Sequence, residues 1–206
     1  DVVVTGTGRN PDSFPDDEKA VNWKDVESTA DEVRALGRRA LTATVDVTNL
    51  DHVQNMIDAA VAEFGRVDIL VNNAGTSAAG HFGDVDDAAW QADLDLKLYA
   101  AIRCSRLAIP HMQAQGGGRI INVTNLGGKT PGGRSMPTSV SRAAGIALTK
   151  ALSKDYAADN ILVNTVCIGL IKSGQHESRF EGIRADRPGL TLDGWYDELA
   201  QDTPIG

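Results

Sequence analysis

The residues in this sequence that could do chemistry cluster where apolar runs end. Asp46 and Val47 close LTATVDV, Asn72-Asn73-Ala74-Gly75 follow DILV, Thr124-Asn125 follow RIINV, and Ile168-Gly169 follow ILVNTV. A glycine at position 75 lets the backbone approach a ligand closely, and asparagine amides can bridge the ends of adjacent strands. Thr138 and Arg142 stand four residues apart in PTSVSRAAGIALTK, so a helix there puts a hydroxyl and a guanidinium on one face. Arg9 lies just past the run DVVVTG with no acid beside it in the chain.

Alternating elements must hold these positions. A strand is expected at about 2–5, followed by a Pro/Asp-rich loop, PDSFPDDEK. Val26, Ala30, Val33 and Leu36 recur at helical spacing up to Gly37. The β-branched run LTATVDV reads as a strand. A second apolar stripe of Leu50, Val53, Ile57, Ala60, Val61 and Phe64 ends at Gly65. A strand at 68–71, a helix at about 87–114, a strand at 119–123, a helix at about 138–156 and a strand at 161–166 follow. Strands separated by helices imply right-handed crossovers and a parallel sheet covered on both faces, a doubly wound α/β domain whose ligands sit beyond the carboxyl ends of the strands. Residues 170–206 carry charge, turn residues and scattered Phe180, Trp195 and Tyr196, which reads as a flexible lid on a single domain of 206 residues.

Composition narrows the function. A net charge of −8 argues against nucleic-acid or anionic-membrane partners, which need a positive surface. No apolar run approaches the roughly 18 residues that span a bilayer, and no signal-peptide pattern opens the chain, so a cytoplasmic protein is expected. Cys104 and Cys167 read as two reduced thiols. His52, His81, His111 and His176 lack metal-ligand spacing, so no metal site is expected, and no Gly-x-Ser-x-Gly elbow supports a serine hydrolase.

The stretch GRVDILVNNAG, followed by GRIINVTN and by the order of the other elements, resembles the short-chain dehydrogenase/reductase family from Asp1 to about Ser173. The resemblance implies a Rossmann-type fold, a nicotinamide cofactor, and hydride transfer between it and a small carbonyl or alcohol substrate. It matches Asp46 to the acid that meets the adenine amino group and Val47 to a neighbouring backbone contact, although Asp46 also suits a helix N-terminus. Asn73, Ala74 and Gly75 match the turn beside the adenosine ribose, and Gly169 matches the glycine after the last clear strand. TGTGRN lacks the spacing of the family's glycine-rich loop, so DVVVTG matches the second family strand. The first strand, its glycine-rich loop, the first helix and the last strand are then expected to lie outside these 206 residues. Arg9, beyond DVVVTG and without an acid, points to NADP(H), with NAD(H) as the alternative. By the same analogy the helices near 98–115 and 138–156 are those that pack in a homodimer or homotetramer.

The family's asparagine, serine, tyrosine and lysine fall on Lys97, Asn125, Thr138 and Arg142. Asn125 can still donate a hydrogen bond to a carbonyl oxygen. Arg142 can hold the nicotinamide ribose but keeps its proton. Thr138 is far less acidic than a phenol with a pKa near 10. Lys97 is either a replacement proton donor or compensating charge, or an ion-pair partner for a neighbouring acid. Two readings follow: an oxidoreductase with an altered proton-transfer arrangement, or a protein that binds nucleotide or a partner without turnover.

Overall fold

The computed structural model describes residues 1–10, 12, 19 and 24–201. Most of the expected PDSFPDDEK loop lies outside the described residues. The chain divides into two compact units, residues 1–167 and 168–206.

In the first unit β1 (Val2–Gly6), α1 (Val26–Ala35), β2 (Ala40–Thr44), α2 (Leu50–Phe64) and β3 (Ile69–Asn72) follow in order. Then come α3 (Asp87–Leu94), a π-helical turn (Asp95–Tyr99), α4 (Ala100–Ala114), β4 (Gly118–Asn125), α5 (Thr138–Asp155) and β5 (Ile161–Ile168). The alternation agrees with the periodicity, and the punctuation has local causes. Asn49 caps α2 by accepting from the N–H groups of Asp51 and His52, and Gly65 ends it at φ 76°, a conformation that costs glycine nothing. Of the apolar positions on α1, only Ala30 is buried, and Leu36 at its end is exposed, because that helix packs one narrow stripe on β1 and β2.

Two details depart from the expected pattern. The predicted continuous helix over 87–114 is broken by the π-helical turn, in which Lys97 is buried. The sheet also lies in two pieces. β1 pairs in parallel with β2, and β3 pairs in parallel with β4, which pairs in turn with β5. Among the described residues no ladder joins β1 to β3. Between them runs a cleft of about 870 Å³ floored by Met56, Ile57 and Ala60 of α2 and by Ala100, Ala101 and Cys104 of α4. No backbone register links strands across such a gap, so the parallel pattern continues without continuous hydrogen bonding.

The core gathers Val53, Ile57, Leu70, Ala108, Met112, Ile120 and Ile161 between the helices and β3–β5. Polar pairs cross it: Asn72 Nδ2 donates to Asn122 Oδ1 at 2.8 Å, and Asn122 Nδ2 donates to Thr149 Oγ1 at 2.9 Å. These bonds hold the carboxyl ends of β3 and β4 to α5 while leaving few buried polar groups unpaired.

Both cysteines are free thiols. Burial pushes the Cys104 thiol from 9.0 up to about 11. At pH 8 it should therefore react with a thiol reagent roughly 100-fold more slowly than an ordinary cysteine, because two pH units remove that factor of thiolate. Its contribution to stability is complete below 9.0 and is lost as pH rises toward about 11. Labelling kinetics of a Cys167→Ser variant measure this directly, and an ordinary rate would contradict it.

The second unit carries α6 (Gly174–Arg184) and α7 (Leu192–Ala200). Phe180 and Trp195 rings stack at 5.9 Å, and Trp195 and Tyr196 at 5.8 Å. The aromatic residues that look scattered in sequence thus form a small core of their own. No described helix is long and apolar enough to cross a membrane.

Candidate active site

The cleft follows the strands from end to end. Asp1, Arg39, Arg66 and Asp68 line it near the amino ends, Val2, Val3, Ile69 and Val71 along the middle, and Val47, Asn73, Ala74 and Lys97 beyond the carboxyl ends. Three positions matched to the adenosine side therefore share one cavity with Lys97.

Lys97 is the centre of a buried polar cluster. The π-helical turn inserts one residue into the helix, a distortion common at functional sites, and its lysine side chain is only 1% exposed. Lys97 Nζ makes a close ion pair with Asp93 one turn earlier and donates to Thr138 Oγ1 at 2.9 Å. Thr138 Oγ1 also accepts the Ala78 backbone N–H at 3.0 Å and directs its own proton to Asp93 Oδ1 at 3.4 Å. Ser141 Oγ donates to the other Asp93 oxygen at 2.6 Å. A hydroxyl has one proton and two lone pairs, so the hydrogen-bonding capacity of Thr138 is filled. Its outgoing bond is nevertheless long for O–H···O, where about 2.5–3.0 Å is usual, so that hydrogen bond is weak and the O–H is free to turn to another acceptor.

Arg142 lies beside this cluster. Its Nη1 donates to the Val123 carbonyl at 2.8 Å, while its Nε is buried without a hydrogen-bond partner among the described residues. A methyl group at position 75 would fall 2.7 Å from Arg142 Nη2, the movable end of that side chain, and 3.6 Å from Lys97 Cγ, so the Asn73–Gly75 turn packs closely against both side chains. Burial pushes the Lys97 ammonium below its ordinary value. The hydrogen bond and charge of Asp93 pull it back up, and Arg142 pushes it down again. Burial likewise lowers Arg142, and Asp93 opposes the shift.

The remaining predicted positions are distributed differently. Asn125, at the end of β4, is bonded to none of these groups, and its Oδ1 is buried without a partner among the described residues. Asp46 does not cap α2. It accepts from the N–H of Thr48 at 2.9 Å and its hydroxyl at 2.7 Å, bonds that lower its carboxyl below the usual range. Arg9 does have an acid beside it: its Nη2 is 3.1 Å from Asp25 Oδ1, an approach made by residues 16 apart in sequence. Gly169 follows β5 and belongs to the second unit. His176 in that unit lies 3.2 Å from Ser173 Oγ, with burial, first, and Arg179 lowering its pKa.

Sequence reasoning passed over Asp93, Ser141, Asp25 and the Ala78 N–H. Asp93 had a usable signal, since an acid four residues before Lys97 on a helix is the favoured order for an ion pair. Ser141 had only its place one turn after Thr138.

The profile of the short chain dehydrogenase family matches residues 19–183. The chain is 39% identical over 155 residues to cis-4-hydroxycyclohexanecarboxylate dehydrogenase of Sinomonas cyclohexanicum, a match covering 73% of this chain and 62% of that protein. It is 32% identical over 167 residues to 2-dehydro-3-deoxy-D-gluconate 5-dehydrogenase of Escherichia coli K12, covering 81% and 64%. The chain therefore spans less than two thirds of the length of these two curated relatives. Among solved structures, L-sorbose reductase of Gluconobacter frateurii, complexed with NADPH and L-sorbose, superposes with a TM-score of 0.83 at 26% identity. That match covers 97% of this chain and 80% of that one.

Proposed function

We propose, from the premise that this chain belongs to the short-chain dehydrogenase family, that the protein is an NAD(P)(H)-dependent oxidoreductase acting on a small carbonyl or secondary alcohol. The observation that carries the reading is the 2.9 Å bond from Lys97 Nζ to Thr138 Oγ1, which puts a proton source behind the hydroxyl that replaces the family's phenol. Asn125 Oδ1 and Arg142 Nε, buried with no partner among the described residues, support a polar ligand at the same site, since such atoms are costly to leave unpaired.

Val47, Asn73, Ala74, Gly75 and Asp46 would hold the adenosine part of the nucleotide, and Arg142 the ribose next to the nicotinamide. A nicotinamide nucleotide held by these residues would provide the hydride-transfer chemistry. In reduction, the substrate oxygen takes the Thr138 proton, and Thr138 Oγ1 takes one from Lys97 Nζ. The Ala78 N–H and Lys97 stabilise the threonine oxygen while charge develops on it, as an oxyanion hole does. Asn125 would orient the substrate oxygen. Oxidation runs the same proton path backwards.

Arg9 favours NADP(H), but its pairing with Asp25 puts a carboxylate where ribose hydroxyls could also bind, so NAD(H) stays an arm of the test. We read the apolar middle of the cleft, between β1 and β3, as the place of the additional strand that the resemblance implies. Exposed Tyr99 and Val140 at the two helices matched to the family's subunit contacts support a homo-oligomer. The relatives' names point to cyclic and sugar-derived carbonyl compounds as the substrate class to try first.

The test is a fluorescence titration of the protein at its full natural length with NADPH and NADH, followed by turnover on cyclic ketones, keto-sugars and keto-sugar acids. Binding of one nucleotide with turnover of at least one carbonyl compound is expected. Tight binding with no turnover on any of them would instead establish the non-catalytic nucleotide-binding reading.

A further inference from the structure

Asp93 is the acid of the buried cluster. It belongs to α3, while Thr138, Ser141 and Arg142 all belong to α5, so its carboxylate ties one helix to the other. Every contact its two oxygens make serves this cluster: Oδ1 meets the Lys97 ammonium and, at 3.4 Å, the Thr138 hydroxyl, and Oδ2 accepts from Ser141 at 2.6 Å. Ser141 is 1% exposed and sits one helical turn beyond Thr138, so the residue that steadies Asp93 is rigidly spaced from the hydroxyl that Lys97 addresses.

The charges acting on Lys97 are few. Asp93 approaches from one turn back, and Arg142 from α5 on the other side, while Thr138 and Ser141 do not ionise in the working range. Desolvation and Arg142 both favour loss of the lysine proton, and among the described residues Asp93 opposes them. An ammonium ion offers three donors, enough for Asp93 and Thr138 together, and a carboxylate accepts all the bonds drawn to it here.

We propose that Asp93, steadied by Ser141, is a positioning residue that keeps Lys97 an ammonium ion and aims it at Thr138 Oγ1. The proposal rests on the reading of Lys97 as the proton source, and it makes a claim that holds without turnover. The proton that Lys97 gives to Thr138 returns to Lys97 from solvent after each turnover, so the cycle balances.

The test follows the side-chain nitrogen of Lys97 by NMR in protein labelled with ¹⁵N-lysine, as a function of pH, with Lys97→Arg assigning the signal. In Asp93→Asn the titration midpoint should fall by about one pH unit or more, a tenfold or greater loss of proton affinity. Asp93→Glu should restore most of it, and Ser141→Ala should lower it by a smaller amount. Thermal melts of each variant report folding separately. A midpoint in folded Asp93→Asn that matches the unmodified protein overturns the proposal. Where Asp93→Asn does not fold, Ser141→Ala decides, and a midpoint that is unchanged or higher overturns it. Because no substrate is involved, a protein that binds nucleotide but never turns over still gives a readable result. That outcome would remove the proton-source reading and leave the positioning role standing.

Discussion

Replacing Lys97 by methionine is expected to reduce turnover by between about 100-fold and 10,000-fold, the usual range for losing a positioned acid or base. Methionine keeps most of the lysine stem, so packing against the π-helical turn survives while the ammonium is lost. Thr138 then loses the donor 2.9 Å away that would return its proton. The same change should cost about 3–5 kcal/mol of stability, because it strands a carboxylate only 2% exposed in a desolvated pocket with Ser141 and Thr138 as its remaining partners. Nucleotide affinity should change little, since the groups assigned to the adenosine side are untouched. Turnover, nucleotide titration and urea unfolding separate the three effects, and undiminished hydride transfer in the folded variant would remove Lys97 from the mechanism.

The second large effect is on folding. Ile120→Ala should lower stability by about 2–5 kcal/mol through lost transfer free energy and the cavity it leaves. Ile120 is fully buried in β4, between β3 and β5, within the cluster that includes Val53, Leu70, Met112 and Ile161. It shares a buried face with Asn122 and Thr124, whose hydrogen bonds reach β3, α5 and β5. Denaturant melts report the loss. A cost below about 1 kcal/mol would mean that the helices close over the space, which interiors packed at crystal-like density rarely do.

The order of elements was legible because each one carries its own code. Leu50 to Phe64 repeats at helical spacing between an asparagine that caps and a glycine that stops it, and each of those signals acts through bonds within a few residues. The sequence misled where the answer depends on approach between distant segments. Arg9 looked free of an acid because Asp25 lies beyond a long loop.

Lys97 shows where the division falls. Its residue type, its place in a helical stretch and the acid four positions earlier are written in the chain, and together they allow either a proton donor or a simple ion pair. Only the tertiary structure brings α5 across, so that Thr138, Ser141 and Arg142 meet Lys97 and Asp93 in one buried cluster. Sequence by itself determined the alternating α/β fold and the family, because periodicity, caps and motifs act locally. Folding decided the charge environment of the site. Burial and through-space fields depend on which distant elements pack together, and no local pattern encodes that.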